Sequence, residues 1–369
     1  MKGVYRLTNT LIMRGGGRPD AWITYRSYDG KVLITPRTSM RAALIQVRAP
    51  AAYLEFRGLT FDGGGTNAYE AYQIEYHTHH VRVLNNVISN MSAAGIAVTT
   101  ADYVTFTGNR IYRFGDGVGW SSGISFNSGD GAFWFDNAAG FHSVIADNIV
   151  TGGIDNSDHH SDGNGIIADL GGNIPPVLIA DNLVYENGGR CIHSLGVQHV
   201  WVINNTCYMN GLDSRLGTTG EITSFNSQDI HLINNVAVAW TGRRPYAIEG
   251  GSSVALDHNV GFDGIASAVP GDVSADPSRL LTRDPGFAAP IAVDPAADGQ
   301  WKSALPPSAV GERFRPQPSS VLRRWGVDPR AQPGVTKDLL PTLETVLGRD
   351  LAGQRRWLGG RFSVGAYDS

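Results

Sequence analysis

The stretch VLIADNLVYENGGRCIHSLGVQHVWVINNTCYMNG, residues 177–211, reads as one structural unit followed by the start of its own copy. A short apolar strand ends at Asn182, a second strand follows, and a Gly turn leads to a third strand around Ile192. Twenty-three residues after Asn182, another strand ends at Asn205. The same punctuation recurs outward from here. Asn stands just after a short apolar strand at Asn86, Asn109, Asn148, Asn182, Asn205, Asn235 and Asn259, with gaps of 23, 39, 34, 23, 30 and 24. The short gaps define the unit; the longer ones are that unit with an insertion. A second series runs beside it: Ile74, Ile96, Ile124, Ile166, Ile192, Ile222 and Ile248. The segments AWITYRSYDGKVLIT (21–35) and LIQVRAPAAYLEFRGLTFDGG (44–64) read as two earlier turns of the same pattern.

A period of this length marks a coil whose turns stack. One unit cannot bury its own apolar face. Stacking at about 4.8 Å places like on like, so that Ile builds a continuous core and Asn bonds the turn backbone of its neighbour. The expectation is an all-β chain: a right-handed parallel β-helix over residues 1–290, with about nine or ten rungs. Residues 291–369 are expected to form an irregular C-terminal cap against the last rung. Leu and Val spacing there predicts a short helix over 337–347, with Pro341 near its start. A leucine-rich repeat is excluded by the missing Leu spacing and helical arc.

Composition narrows the function. The 369 residues are 42% hydrophobic and 17% charged, with 46 Gly and a net charge of −4. That balance argues against a nucleic-acid groove, which needs a basic stripe. No apolar run approaches the roughly 18 residues of a membrane span. Met1 is followed at once by KGVYRLTNTLIMRGGG, which reads like the middle of a folded element. The expectation is a removed leader and a secreted or periplasmic protein. Cys191 and Cys207 are expected to be free, buried thiols.

Insertions show where the coil is decorated. Those at 113–122, 151–164 and 209–220 precede the Ile strand and should rise together as one wall of a groove. The insertion at 127–141 follows the Ile strand and would wall the opposite edge; it carries Phe133, Trp134 and Phe135, with Trp134 as a candidate sugar platform. Period-two alternation selects the floor. With the Ile file inward, the outward positions include Asn127, Asp169, His193 and Glu221. The last three form a diagonal across neighbouring rungs, roughly 7–8 Å between members.

Above this floor lies GGIDNSDHHSDGNGIIAD, residues 152–169, the densest polar cluster in the chain. Candidate catalytic residues are Asp162, His160, Asp169, His193, Arg190 and Glu221. Candidate substrate contacts are Asn127, Trp134, Asn164 and His159. Asp155, Asp158 and Asp162 are candidate ligands for Ca²⁺, which takes six to eight oxygens. The adjacent His159 and His160 would alternatively suit a transition metal or acid–base work.

The repeat resembles the pectate-lyase-type β-helix superfamily over roughly residues 1–290. The opening turns are similar to those of chondroitinase-B-like and alginate-lyase-like members. DPGF at 284–287, WKSALPPSAVGER from Trp301, DLAGQRR from Asp350 and VGAYD ending at Asp368 resemble the closing segment of many bacterial β-helix proteins. This resemblance implies an enzyme on an acidic polysaccharide or oligosaccharide, acting by β-elimination at a uronic acid. DGNGIIAD, residues 162–169, loosely resembles a segment of polysaccharide lyase family nine. That likeness puts Asp162 near the calcium carboxylates and Asp169 where the family has its lysine base. His160 or His193 would then have to serve as base. Two alternatives stand beside it. One is a glycoside hydrolase or transferase drawing a carboxylate pair from Asp162, Asp169 and Glu221. The other is a non-catalytic polysaccharide-binding coil.

Overall fold

The computed structural model describes residues 2–65, 68–217, 219–293, 307–310, 312–356 and 362–368; positions 301–306 and 311 of the tail motif beginning at Trp301 lie outside them. Each turn is three strands, as in Val87–Met91, Ile96–Thr99 and Asp102–Thr107, after which Arg110–Phe114 opens the next. Among the described residues every ladder between these strands is parallel, and the strand Ile166–Gly172 shifts register against Ile192–Ile203 between Asp169 and Gly172. The first sheet stacks eleven strands, from Gly3–Leu7 to Leu280–Thr282. The second and third sheets are fused where Ile192–Ile203 runs from one into the other. The chain is a parallel β-helix of the expected number of turns.

The two sequence series explain why the turns stack. Ile96, Ile124, Ile166, Ile192 and Ile222 pair rung upon rung and are all fully buried. Ile74 and Ile248 belong one file over. They pair with Val98 and Ser224, while Tyr72 and Tyr246 take the places beside Ile96 and Ile222. Alternation fixes which face a residue shows, but a shift of two preserves that face. Glu75 and Glu249 therefore share the column of Asp169, not that of His193.

The seven Asn residues form one buried ladder, all with zero exposure. The N–H and Nδ2 of Asn109 both donate to Asn148 Oδ1 (2.9 and 3.0 Å), and Nδ2 also donates to Val83 O at 2.8 Å. The same pattern repeats from Asn86 to Asn259. Each buried amide is thus satisfied by stacking itself, which locks the register of the coil.

Cys191 and Cys207 are not free thiols. They form a disulfide inside the coil, with Cα atoms 5.7 Å apart. Cys207 faces inward from the first sheet one rung beyond Val184, and Cys191 sits where the chain enters the second sheet. Closure of the coil brings together positions 16 residues apart. A loop of this size implies about 3 kcal/mol of stabilisation. Denaturant unfolding with and without reductant should differ by that amount, and coincident curves would count against the bond.

Val273, in the short helix Gly271–Ser274, joins Leu280 in the core at the C-terminal end. The later segment then turns back along the flank instead of plugging the last rung. Phe287 and Phe314 pack on Tyr208, and Tyr185 packs on Phe314. The helix Leu340–Val346, close to its expected position, sets Leu343 against Leu178, Trp201 and Ile233. Buried Asp181 pairs with Arg356 from the tail. The physical reason is the apolar outer face of these mid-coil strands, which needs cover more than the closed end does.

Candidate active-site groove

The outward face of the second sheet is the groove floor. One column runs Gln46, Gln73, Ala97, Ser125, Ile167, His193 and Thr223; the next runs Arg48, Glu75, Thr99, Asn127, Asp169, Leu195 and Phe225. Asp169 and His193 therefore sit diagonally on adjacent rungs, as alternation predicts. Glu221 does not join them. It is 1% exposed and closes a second, shorter ladder beneath the corner. Asn187 Oδ1 accepts the Gly153 N–H, Asn210 Oδ1 accepts the Asn187 N–H and Nδ2, and Glu221 accepts from Asn210 N at 2.7 Å and Nδ2 at 2.6 Å. Burial pushes the Glu221 carboxyl up to about 8, against those hydrogen bonds. It is a structural acid. Its position precedes the Ile file at the bend between sheets, where the side chain turns into the coil.

The three insertions do form one wall. Asn156 Nδ2 donates to Asp116 Oδ1 (3.1 Å), and Arg215 Nη1 donates to Asn156 Oδ1 (3.2 Å), so all three loops are tied. Within the middle loop, Asp155 is the organiser. Its Oδ1 accepts from Ser157 N and Oγ, and its Oδ2 accepts from Ser161 N and Asp162 N. Burial works against its charge, but these bonds outweigh that and hold the carboxyl below its ordinary range. Asp158 lies on the exposed outer turn. Among the described residues, the one group of three metal-type side chains with ligand atoms within 4.8 Å is Cys191, Cys207 and Glu221, whose sulfurs are bonded to each other. Asp155, Asp158 and Asp162 do not form such a group, and both carboxylate oxygens of Asp155 already accept hydrogen bonds from its own loop.

The remaining candidates divide sharply. His160 turns its Nδ1 toward Asp155 O at 3.4 Å and belongs to the loop. His159 lies on the rim, stacked at 4.0 Å on Trp120, an exposed aromatic that sequence reasoning passed over. Asn164 is fully buried and is not a substrate contact. It donates to Asp162 Oδ1 at 2.9 Å and accepts the Arg190 N–H at 2.9 Å, so it orients both. Trp134 is likewise committed, with its indole N–H on Asn173 O at 2.8 Å. Its neighbours Phe133 and Phe135 pack on His77 and His79. That aromatic clump fastens the opposite wall to the scaffold.

At the floor Asp162 feels the charges of both Asp169 and Arg190, Asn127 bonds Asp169, and His193 feels the Arg190 charge. Burial, then the charges of Asp169 and Asp155, push Asp162 up to about 7, against the pull of Arg190 and Asn164. Burial also raises Asp169, although Asn127 Nδ2 donates to its Oδ2 at 3.2 Å. Asp169 Oδ1 is buried and has no hydrogen-bond partner among the described residues; the same holds for Arg190 Nε. Arg190 Nη1 donates to Ser161 O at 3.0 Å, and its guanidinium lies 5.5 Å from the Phe225 ring centroid. Burial draws its pKa down to about 10 while Asp162 and Glu249 oppose the fall. His193 is 3% exposed and holds Thr223 Oγ1 at 2.6 Å from Nδ1. Burial and then the Arg190 charge keep it well below its usual range, so it is a neutral floor residue.

No protein-family model matches the chain, and no curated protein matches it. It is similar to three solved structures among others. The A-module of mannuronan C-5 epimerase AlgE4 from Azotobacter vinelandii shares 12% identity over 73% of this chain and 90% of that one, with a TM-score of 0.40. Pectate lyase Pel9A shares 12% identity over 100% of this chain and 86% of that one, with a TM-score of 0.44. The PL6-family alginate lyase AlyGC shares 12% over 85% of this chain and 54% of that one, with a TM-score of 0.38.

Proposed function

We propose that the chain is a carbohydrate-active enzyme that cleaves an acidic polysaccharide by β-elimination at a uronic acid. The observation that carries this reading is the pair of open, buried valences on the groove floor: Arg190 Nε and Asp169 Oδ1, next to a carboxyl that titrates near neutrality. A buried guanidinium edge calls for an anion, and a uronate carboxylate pairs with it through charge-assisted bonds. That pairing stabilises the charge that develops when the neighbouring C–H proton is removed. Asp169 takes this proton. The electron pair becomes the new C=C bond, the glycosidic C–O bond breaks, and Asp162 protonates the departing oxygen. Two carboxyls that burial raises above their ordinary range suit those exchanges.

The raised pair itself favours a second reading, glycoside hydrolysis, which also uses one carboxylic acid and one carboxylate. Arg190 tips the balance, since a neutral glycoside leaves its open edge unpaired. Export fits the buried disulfide, which persists in oxidising compartments.

The Asp162 role predicts a pH profile with a definite sign. A pKa raised from 3.8 to about 7 means that the folded protein retains this proton where the unfolded chain has lost it. The associated stability is complete below the ordinary carboxylate range and fades as pH rises through about 7. Turnover of a uronate polymer should fall over the same upper window. Asp162→Asn should remove both that limb and most of the rate; a profile identical to the parent's would exclude Asp162 as the acid.

A further inference from the structure

The floor continues well beyond Asp169. Toward the N-terminal end lies a cleft of about 320 Å³ lined by Arg14, Arg48, Ala49, Glu75 and Tyr76. Arg48 stands in the same outward column as Asp169, four rungs away through Glu75, Thr99 and Asn127. Its Nε donates to Glu75 Oε2 at 2.8 Å, yet 40% of the Arg48 side chain remains exposed. Arg14 follows Met13, which pairs with Val47, so it falls beside Arg48 and is exposed. Two guanidinium groups face one carboxylate, leaving the cleft cationic. Tyr76 is 52% exposed on the rim, with a left-handed φ of 38° turning it out of the strand. Such a ring offers a sugar an apolar face beside a cationic pocket. Small polar side chains, Thr99, Ser125 and Asn127, line the way to Asp169.

We propose that this cleft is a remote subsite for a uronate unit of the same polymer whose reacting unit sits at Arg190. The inference rests on the reading of the groove given above. Four rung steps span about 19 Å. One rung is close to the length of one sugar in an extended chain, so the unit held at Arg48 lies about four sugars from the reacting bond. The groove therefore favours long chains and acts within them.

The test compares uronate trimers with hexamers and polymer. Arg14→Ala and Tyr76→Ala remove exposed groups; Arg48→Gln probes the column itself. Both arginine variants should lower kcat/KM on hexamer and polymer about ten- to a hundredfold, the worth of a hydrogen bond to a charged group. Tyr76→Ala should lower it about two- to tenfold, the worth of an aromatic face, and all three should leave trimer turnover unchanged. Equal losses on all lengths, or none on any, would overturn the subsite while leaving the proposed reaction intact. If the parent protein turns over no uronate, the proposed reaction fails and calorimetry decides the subsite. Hexamer binding stronger than trimer, with the difference erased in the variants, supports it; length-independent affinity overturns it.

Discussion

Arg190→Ala should lower kcat/KM on a uronate polymer by about 10²–10³, the usual cost of deleting one preorganised charge-stabilising donor. Cooperative unfolding should stay nearly where it was. The side chain is held by one hydrogen bond to Ser161 O, while the Arg190 backbone N–H, which Asn164 accepts, is untouched by the substitution. Arg190→Lys should restore only part of the rate. An ammonium keeps the charge but lacks the planar edge that meets a carboxylate with two parallel bonds. Esterifying the polymer's carboxyl groups should weaken turnover by the parent protein and leave the alanine variant with little left to lose. An alanine variant as fast as the parent would remove Arg190 from the chemistry.

Asn205→Leu should cost about 4–6 kcal/mol, from several buried groups losing partners at roughly 1–3 kcal/mol each. Asn205 Oδ1 accepts from both Asn182 N and Nδ2, and its Nδ2 donates to Ile179 O and Asn235 Oδ1. Leu fills the space but leaves the Asn182 N–H and one Nδ2 hydrogen without an acceptor and takes a donor from Ile179 O, all on the rung below, while Asn235 Oδ1 above keeps the Asn205 backbone N–H. Against a typical total of about 5–15 kcal/mol, this is enough to leave much of the chain unfolded. A denaturation midpoint equal to the parent's would mean that the ladder does not hold the coil together.

The coil was legible because its repeating residues have no other way to be satisfied. A buried Asn amide every turn needs a neighbour of its own kind, and a buried Ile needs another above it. Register was less legible, since Tyr72 and Ile74 have the same parity and either can enter the Ile file. The second ladder left a trace that went unread: Asn187 and Asn210 each stand five residues after Asn182 and Asn205. Within the candidate site, Asp169, Asn127 and Arg190 follow from strand alternation and the loop position. Asp155, Asn164, Trp134 and Glu221 do not. A polar residue that binds its own loop or core and one that awaits a substrate look alike in sequence, and only the path of the backbone separates them. Tyr76 and Trp120 show the converse: single aromatics, unremarked by any pattern, are left exposed. The disulfide needed the closed coil before its two ends became neighbours.

The most direct measurement is ultraviolet absorbance during incubation with uronate polymers, followed together with new reducing ends. β-Elimination leaves a conjugated, unsaturated uronate at each cut, so the parent protein should raise both signals in step, and Asp162→Asn and Arg190→Ala should raise both far more slowly. Reducing ends without the absorbance would contradict elimination and favour the paired-carboxylate hydrolysis instead.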